Sequence, residues 1–178
     1  MLTIKSCDTL FHTQRLLLDE LDRPIAKLRS KNMTAHARWN VFEGDSEDNS
    51  DMIFSATTKH MIQNYTHVNV SLANKMSRSD DCDFQMKGSW SNRDCTIYKG
   101  DSSTTVIAKM QQIQSPEKFM LTINPNVDYA FVVALIPIVD AMKSHGAMKV
   151  VAAHVAAHAA LGVVETALEC IADVILSS

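Results

Sequence analysis

The sequence predicts a mainly β protein, an antiparallel β-sheet system around one apolar helix with a second helix at the C-terminus. Three observations lead to this prediction. Between Gln14 and Ile123, short apolar and β-branched segments recur with period two and are separated by turn-forming residues. The segment Tyr129–Val139 is apolar on every side. Farther on, Val150–Ile175 carries apolar residues at alternating steps of four and three, which is typical of a helix with one apolar seam.

About eight strands are predicted in the period-two region, at spacings typical of a sandwich or barrel. The first two form a hairpin, because the turn sequence Asp22-Arg23-Pro24 separates them. Trp39 and Val41 share one face of the next strand, and the acidic segment 43–50 after it is predicted to be a solvated loop. Thr66–Leu72 alternates apolar and polar residues in the manner of a half-buried strand.

The apolar helix is predicted to begin at the segment Asn124-Pro125-Asn126-Val127-Asp128. Asn124 would be its N-cap, Pro125 its first residue and Asp128 an acid in its first turn. Because the helix is apolar all round and shorter than the about 20 residues of a membrane span, it is expected inside the sheet system. Pro137 removes one helical hydrogen bond at a cost of roughly 3 kcal/mol, so a kink or an early end is expected there.

Two regions are therefore predicted: a barrel domain at 1–141, with its helix at about 124–141, and a helical extension at 142–178. A second helix should follow His145-Gly146. Its apolar seam is a candidate docking surface for a partner helix, with four residues at its centre: Leu161, Val164, Leu168 and Ile171. His154 and His158 have a spacing that can bind zinc, but no third ligand accompanies them, so packing is the favoured interpretation and no metal site is predicted.

Composition and motifs favour a binding protein over an enzyme. The formal net charge is -3, so no global field attracts nucleic acid or an anionic membrane. A nucleophilic serine motif, a phosphate-binding glycine loop and paired catalytic acids are all missing, and no cofactor or catalytic residue is predicted. Asp140 is expected to be simply exposed. The four cysteines lack metal-binding spacing and are expected to be reduced thiols, in keeping with an intracellular protein without a secretory signal or a transmembrane span.

Three segments resemble the plant LURP-one-related family. The most specific is Asn124–Ile136; the others are Lys87–Tyr98 and the pair formed by Leu28–Lys31 and Arg38–Phe42. The resemblance covers roughly residues 16 to 140. It implies the fold of the tubby C-terminal domain and the phospholipid scramblases, a β-barrel of about a dozen strands around a central apolar helix. Family members usually carry further strand-forming sequence ahead of the residue that corresponds to Met1, so an incomplete barrel is expected.

For function, the resemblance implies a regulatory plant protein connected with pathogen defence, which binds lipid or is tethered to a membrane in analogy with tubby. Lys27, Arg29, Lys31 and Arg38 are the candidate residues, since a cationic strand face can hold phosphoinositide head groups. Ordinary solvated strand surface is the alternative interpretation of these four. The other function considered is a protein-interaction module that uses the C-terminal seam. The expected location is the cytoplasm, at the plasma membrane or in the nucleus.

Overall fold

In the computed structural model, described residues are 2–7, 13–31, 37–62, 65–73 and 82–160, with the backbone alone at 116–117 and 145–160. They form one antiparallel sheet of ten strands in chain order. The strands are β1 Thr3–Ser6, β2 Gln14–Leu18, β3 Pro24–Lys31, β4 Arg38–Glu43, β5 Met52–Ile62, β6 Tyr65–Leu72, β7 Phe84–Ser89, β8 Asp94–Lys99, β9 Val106–Ile113 and β10 Ser115–Ile123. One helix, α1, spans Tyr129–Ala160.

The antiparallel β architecture with a C-terminal helix is thus confirmed, and the sheet is not closed. Among the described residues no pairing joins β1 to β10, so each is a sheet edge. β1 was not predicted, because its four residues are all exposed and the short segment shows no apolar alternation. Ile4 pairs with the buried Leu17 and therefore faces inward, yet it remains 39% exposed, so the core is incompletely covered at this edge.

The core lies between the inner face of the sheet and the first half of α1. Inward side chains alternate along the strands as predicted, with Trp39, Val41, Val68 and Val70 all buried. The Phe131 ring packs against Phe54 and Phe84, with ring centroids 5.1 and 5.0 Å apart. The helical residues buried with them are Val132, Ala134, Leu135, Ile138, Val139, Ala141 and Met142. The apolar helix is therefore inside the sheet system, as the sequence predicts.

The predicted start of the helix was wrong by four residues. Asp128 is the capping residue, since its Oδ1 accepts a 2.8 Å hydrogen bond from the Ala130 backbone N–H. Asn124 instead donates from Nδ2 to the Val106 carbonyl at 2.8 Å, and Asn126 has a φ of 63°, which interrupts any helix through this segment. Asn124 thus stabilises the turn that connects β10 to the helix.

The early end at Pro137 and the separate second helix were also wrong, because α1 passes through Pro137 and continues to Ala160. Burial of the proline on the inner side of the helix leaves its ring in the core, where packing offsets the lost hydrogen bond. Asp140 is not simply exposed: its Oδ1 accepts a hydrogen bond from Trp90 and lies 3.5 Å from an Arg93 guanidinium nitrogen. Backbone contacts divide the chain into Met1–Met142 and Lys143–Ser178.

Candidate functional site

The four predicted cations lie on the outer face of β3 and β4. Along β3, Ala26, Leu28 and Ser30 are buried, so the alternate residues Lys27, Arg29 and Lys31 point outward. Arg38 is the cross-strand partner of Lys31 in the β3–β4 register. The four side chains therefore share one face of the sheet, and this group is called here the β3–β4 cation row.

One end of the cation row is bound by a carboxylate from the loop after β4. Glu47 Oε1 lies 2.7 Å from Lys27 Nζ, and Glu47 Oε2 lies 3.2 Å from Arg29 Nη1. Lys27 Nζ also donates to the Asp45 carbonyl at 3.2 Å, and Gln14 Nε2 donates to Glu47 Oε1 at 3.5 Å. The hydrogen bond and the charge of Lys27 lower the pKa of the Glu47 carboxyl, so the acid stays ionised well into acidic solution.

The loop 43–50 is largely exposed, as predicted, but the contact of Glu47 with the cation row was not predicted. The loop folds back because Ser46 Oγ donates to Asp51 Oδ2 at 2.7 Å and Asp48 caps the short 3-10 helix Asn49–Asp51. Glu47 itself was missed as a partner of the lysine and the arginine. The sequence signal that could have indicated this contact is the acidic loop that directly follows β4, because β4 pairs with the basic strand β3.

The other end of the cation row has no carboxylate partner in the part of the chain that the structure describes. Lys31 and Arg38 are exposed, and neither forms an ion pair with a described residue. Arg38 Nη2 donates to Ser55 Oγ at 3.3 Å, which orients the guanidinium across β5. Because facing residues on paired strands lie about 5 Å apart, the two side chains can contact one phosphate group together. Lys31 and Arg38 are therefore the accessible part of the predicted site.

The predicted partner-binding residues Leu161, Val164, Leu168 and Ile171 lie outside the described residues. His154 and His158 lie on the described backbone of α1, but their side chains do not belong to the described part. Within that part, no three His, Cys, Asp or Glu side chains come together as metal ligands. No helix among the described residues has an apolar segment long enough to cross a bilayer.

Two of the described cysteines, Cys82 and Cys95, are poor nucleophiles. Cys7, Cys82 and Cys95 are free thiols. Burial, reinforced by the carboxylate of Asp101 at 2.8 Å from the sulfur, raises the pKa of Cys82 to about 12. Burial also raises the pKa of Cys95 to about 12. A nucleophilic cysteine needs a lowered pKa, so neither thiol has the environment of a catalytic residue.

Comparison with known proteins gives one consistent result. A family model described as LURP-one-related matches residues 1–140. Protein LURP-one-related 15 of Arabidopsis thaliana is 38% identical over 136 residues, which are 72% of this chain and 62% of that protein. Protein LURP-one-related 13 of the same plant is 42% identical over 129 residues, covering 72% of this chain and 67% of that protein. This chain thus spans less than two thirds of the length of LURP-one-related 15.

A further relative and a solved structure extend the comparison. Protein LURP1 of Arabidopsis thaliana is 37% identical over 154 residues, which are 82% of this chain and 73% of that protein. An X-ray structure of an Arabidopsis thaliana protein superposes with a TM-score of 0.62 at 32% sequence identity, covering 79% of this chain and 76% of the other. The similarity therefore extends from sequence to fold.

Proposed function

Because the chain belongs to the LURP-one-related family, we propose that it is a non-enzymatic binding domain whose β3–β4 cation row recognises anionic phosphoinositide head groups at an intracellular membrane surface. The connection with pathogen defence that the family resemblance implies is part of the same proposal. Binding, rather than turnover, agrees with the raised pKa values of Cys82 and Cys95. It also agrees with the rigid β surface on which the cations lie.

The observation that carries the proposal is the cross-strand pair Lys31 and Arg38. Both side chains are exposed, face the same way and form no ion pair with a described residue. An ammonium and a guanidinium so placed can donate several charge-assisted hydrogen bonds to one phosphate monoester. The contribution of each basic residue near an anionic membrane is about 1 kcal/mol, so two such residues give weak but measurable binding.

Lys27 and Arg29 enter the proposal differently, because Glu47 neutralises part of their charge. An incoming head group must displace the carboxylate before it can use them. The loop after β4 therefore lowers the affinity of the row for anions in the free protein. A multiply phosphorylated head group, with more than one phosphate to offer, is the ligand best able to compete with it.

Liposome co-sedimentation tests the proposal. Vesicles of phosphatidylcholine with about 5% phosphatidylinositol bisphosphate should bind the wild type more strongly than vesicles of pure phosphatidylcholine do. Lys31→Ala/Arg38→Ala should lose most of that binding. Lys5→Ala/Lys109→Ala removes two equally exposed cations from other strands and should retain it. Equal binding by the two double variants would refute the assignment of the row.

The alternative is a protein-interaction module in which the C-terminal seam docks a partner helix. Its support is the apolar spacing of Leu161, Val164, Leu168 and Ile171 in the sequence that follows α1. Deleting residues 161–178 should then abolish association and leave the near-ultraviolet circular dichroism of Trp39 and Trp90 unchanged. Retained association after the deletion would exclude the seam as the docking surface.

A further inference from the structure

A second group of cationic and polar side chains lies on the outer face of the sheet on β5, β6 and β7, one to three strands from β4. The bulge between Thr58 and His60 in the β5–β6 register places His60 opposite His67, and His67 in turn pairs with Lys87 on β7. The imidazole centroids of His60 and His67 are 6.2 Å apart. Lys87 Nζ donates a 2.9 Å hydrogen bond to Ser103 Oγ in the loop between β8 and β9.

His67 is the central member of this group. Its Nε2 is buried, and no described residue forms a hydrogen bond with that atom. A buried nitrogen without a partner costs free energy, and a protonated one would cost more because the cation needs an acceptor. Asn69 lies two residues along the same strand and on the same face, and its Oδ1 is likewise buried with no hydrogen-bond partner in the described part of the chain. Unpaired buried polar atoms are uncommon in folded proteins, and two in adjacent outward positions indicate an incomplete site.

The charges around His67 show which ligand would complete it. The pKa of His67 is lowered mainly by burial and, to a smaller extent, by the positive charges of Lys87 and Lys59. A hydrogen bond with the Gln85 side chain raises it. Asp94 pairs with Ser89, two residues along β7 from Lys87, and Asp101 Oδ1 accepts a hydrogen bond from the Cys82 thiol. None of Lys59, His60, His67 and Lys87 forms an ion pair with a described residue.

We propose that His60, His67, Lys87 and Ser103 form an anion-binding site for a phosphate-type dianion, distinct from the β3–β4 cation row. An oxyanion placed among these side chains accepts hydrogen bonds from the Lys87 ammonium, the Ser103 hydroxyl and the protonated His67 ring. The exposed His60 and the half-buried Lys87 flank His67 on the two neighbouring strands, and a change of their rotamers opens access to its buried Nε2.

Charge decides against a metal ion at the same place. Two imidazoles on facing strands could chelate a divalent cation, but Lys59 and Lys87 raise the local potential and repel one. The same two lysines attract a dianion. The net sign of the neighbours therefore favours an anion, either free inorganic phosphate or the phosphate of a lipid head group.

Proton uptake should accompany binding. The anion stabilises the imidazolium of His67, so the pKa of His67 is higher in the complex than in the free protein. By linkage, affinity must rise as the pH falls between these two pKa values, with a limit of about tenfold per pH unit. Sulfate is the suitable probe for this dependence, because it remains a dianion throughout the range in which histidine titrates.

Nuclear magnetic resonance of the histidine Cε1–Hε1 groups tests the site in the intact chain. Added sulfate or inorganic phosphate should raise the pKa of His67 in the wild type, and sulfate should bind more tightly at pH 6 than at pH 8. Lys87→Gln should weaken binding by at least about tenfold, since it removes a charge-assisted contact. Lys109→Gln is the matched control: its residue is exposed, carries the same charge and pairs with Thr96 in the same cross-strand row.

Further measurements distinguish a lipid head group from a free anion, and an anion from a metal ion. A response to phosphatidylinositol bisphosphate vesicles but not to free phosphate would assign the site to a lipid head group, and the reverse would assign it to a free anion. Zinc-induced shifts of His60 and His67 without any anion response would overturn the proposal. So would equal anion responses of the Lys87→Gln and Lys109→Gln variants. Lys31→Ala/Arg38→Ala should leave the His67 titration unchanged, so failure of the cation row and failure of this site are distinguishable.

Discussion

The indole of Trp90 and the carboxylate of Asp140 connect the β7–β8 hairpin to the buried helix. Trp90 Nε1 donates a 2.9 Å hydrogen bond to Asp140 Oδ1, and Trp90 is almost completely buried. The guanidinium of Arg93 lies 4.9 Å from the centroid of the indole ring and 3.5 Å from the same carboxylate oxygen. One helical side chain thus satisfies a buried donor and a cation of the hairpin, and this fixes the rotation of α1 against the sheet.

Asp140→Ala should lower the free energy of unfolding by about 1–3 kcal/mol, because Trp90 Nε1 is then left without its acceptor. Asp140→Asn keeps an acceptor oxygen and should cost less. Urea denaturation followed by tryptophan fluorescence measures both. If the alanine variant were as stable as the asparagine variant, the hydrogen bond would not have the role assigned to it.

Gly88→Ala should be more damaging than Gly100→Ala. A Cβ at Gly88 would clash with the Asp94 carbonyl oxygen, against backbone that cannot easily move, and the φ there is 141°. Gly100 has a φ of 70° but no atom within 4 Å of the added carbon. We expect a loss of about 2–4 kcal/mol at Gly88 and about 1 kcal/mol at Gly100, measured by denaturant unfolding. Similar losses at both positions would contradict the close approach of β7 and β8.

Asp128→Ala should destabilise the protein by about 1 kcal/mol, since the helix loses its N-cap. Asp128→Ser retains a capping oxygen and should be nearly neutral. Thermal melting of the two variants distinguishes a cap from a simple surface charge. Equal melting temperatures for the alanine and serine variants would show that Asp128 does not cap α1.

Glu47→Gln should increase binding to phosphoinositide vesicles, because Lys27 and Arg29 then keep their full charge for the ligand. The lowered pKa of Glu47 gives the pH dependence. Because its pKa is lowered, the Glu47 carboxylate keeps its charge until the pH falls through that lowered pKa. The gain in vesicle binding should therefore be the same at pH 6 and pH 8. Asp45→Asn is a control, since its backbone carbonyl, not its side chain, contacts Lys27. Unchanged binding by Glu47→Gln would argue against competition by the loop.

Cys82 and Cys95 should resist alkylation by iodoacetamide in the native protein at pH 8. With pKa values of about 12, only about one thiol in ten thousand is ionised there. Peptide mapping by mass spectrometry should find both unmodified before denaturation and modified after it. Rapid native labelling of either would contradict the burial described for these thiols.

Much of the fold could be predicted because its determinants are local. Alternation placed Val68 and Val70 on the inner face, and the all-apolar surface of Tyr129–Val139 required a buried helix. The boundaries of the helix could not be obtained in this way. Asn124 and Asp128 are both good capping residues, and only the hydrogen bond of Asn124 to the β9 backbone decides between them. From the sequence, Pro137 likewise indicated an end of the helix. In the structure the helix continues through this residue, which packs in the core.

The candidate sites show the same difference between what local sequence predicts and what the tertiary structure decides. Period two alone determined that Lys27, Arg29 and Lys31 share an outward face, since adjacent side chains of a strand point to opposite sides. Which of these cations are free for a ligand was decided by the tertiary structure, because Glu47 reaches Lys27 across 20 positions of sequence through the fold of a loop. The meeting of His60, His67 and Lys87 depends on strand register and on a bulge. Register is a relation between strands, fixed by hydrogen bonding and packing across the sheet, and no single segment of sequence contains it.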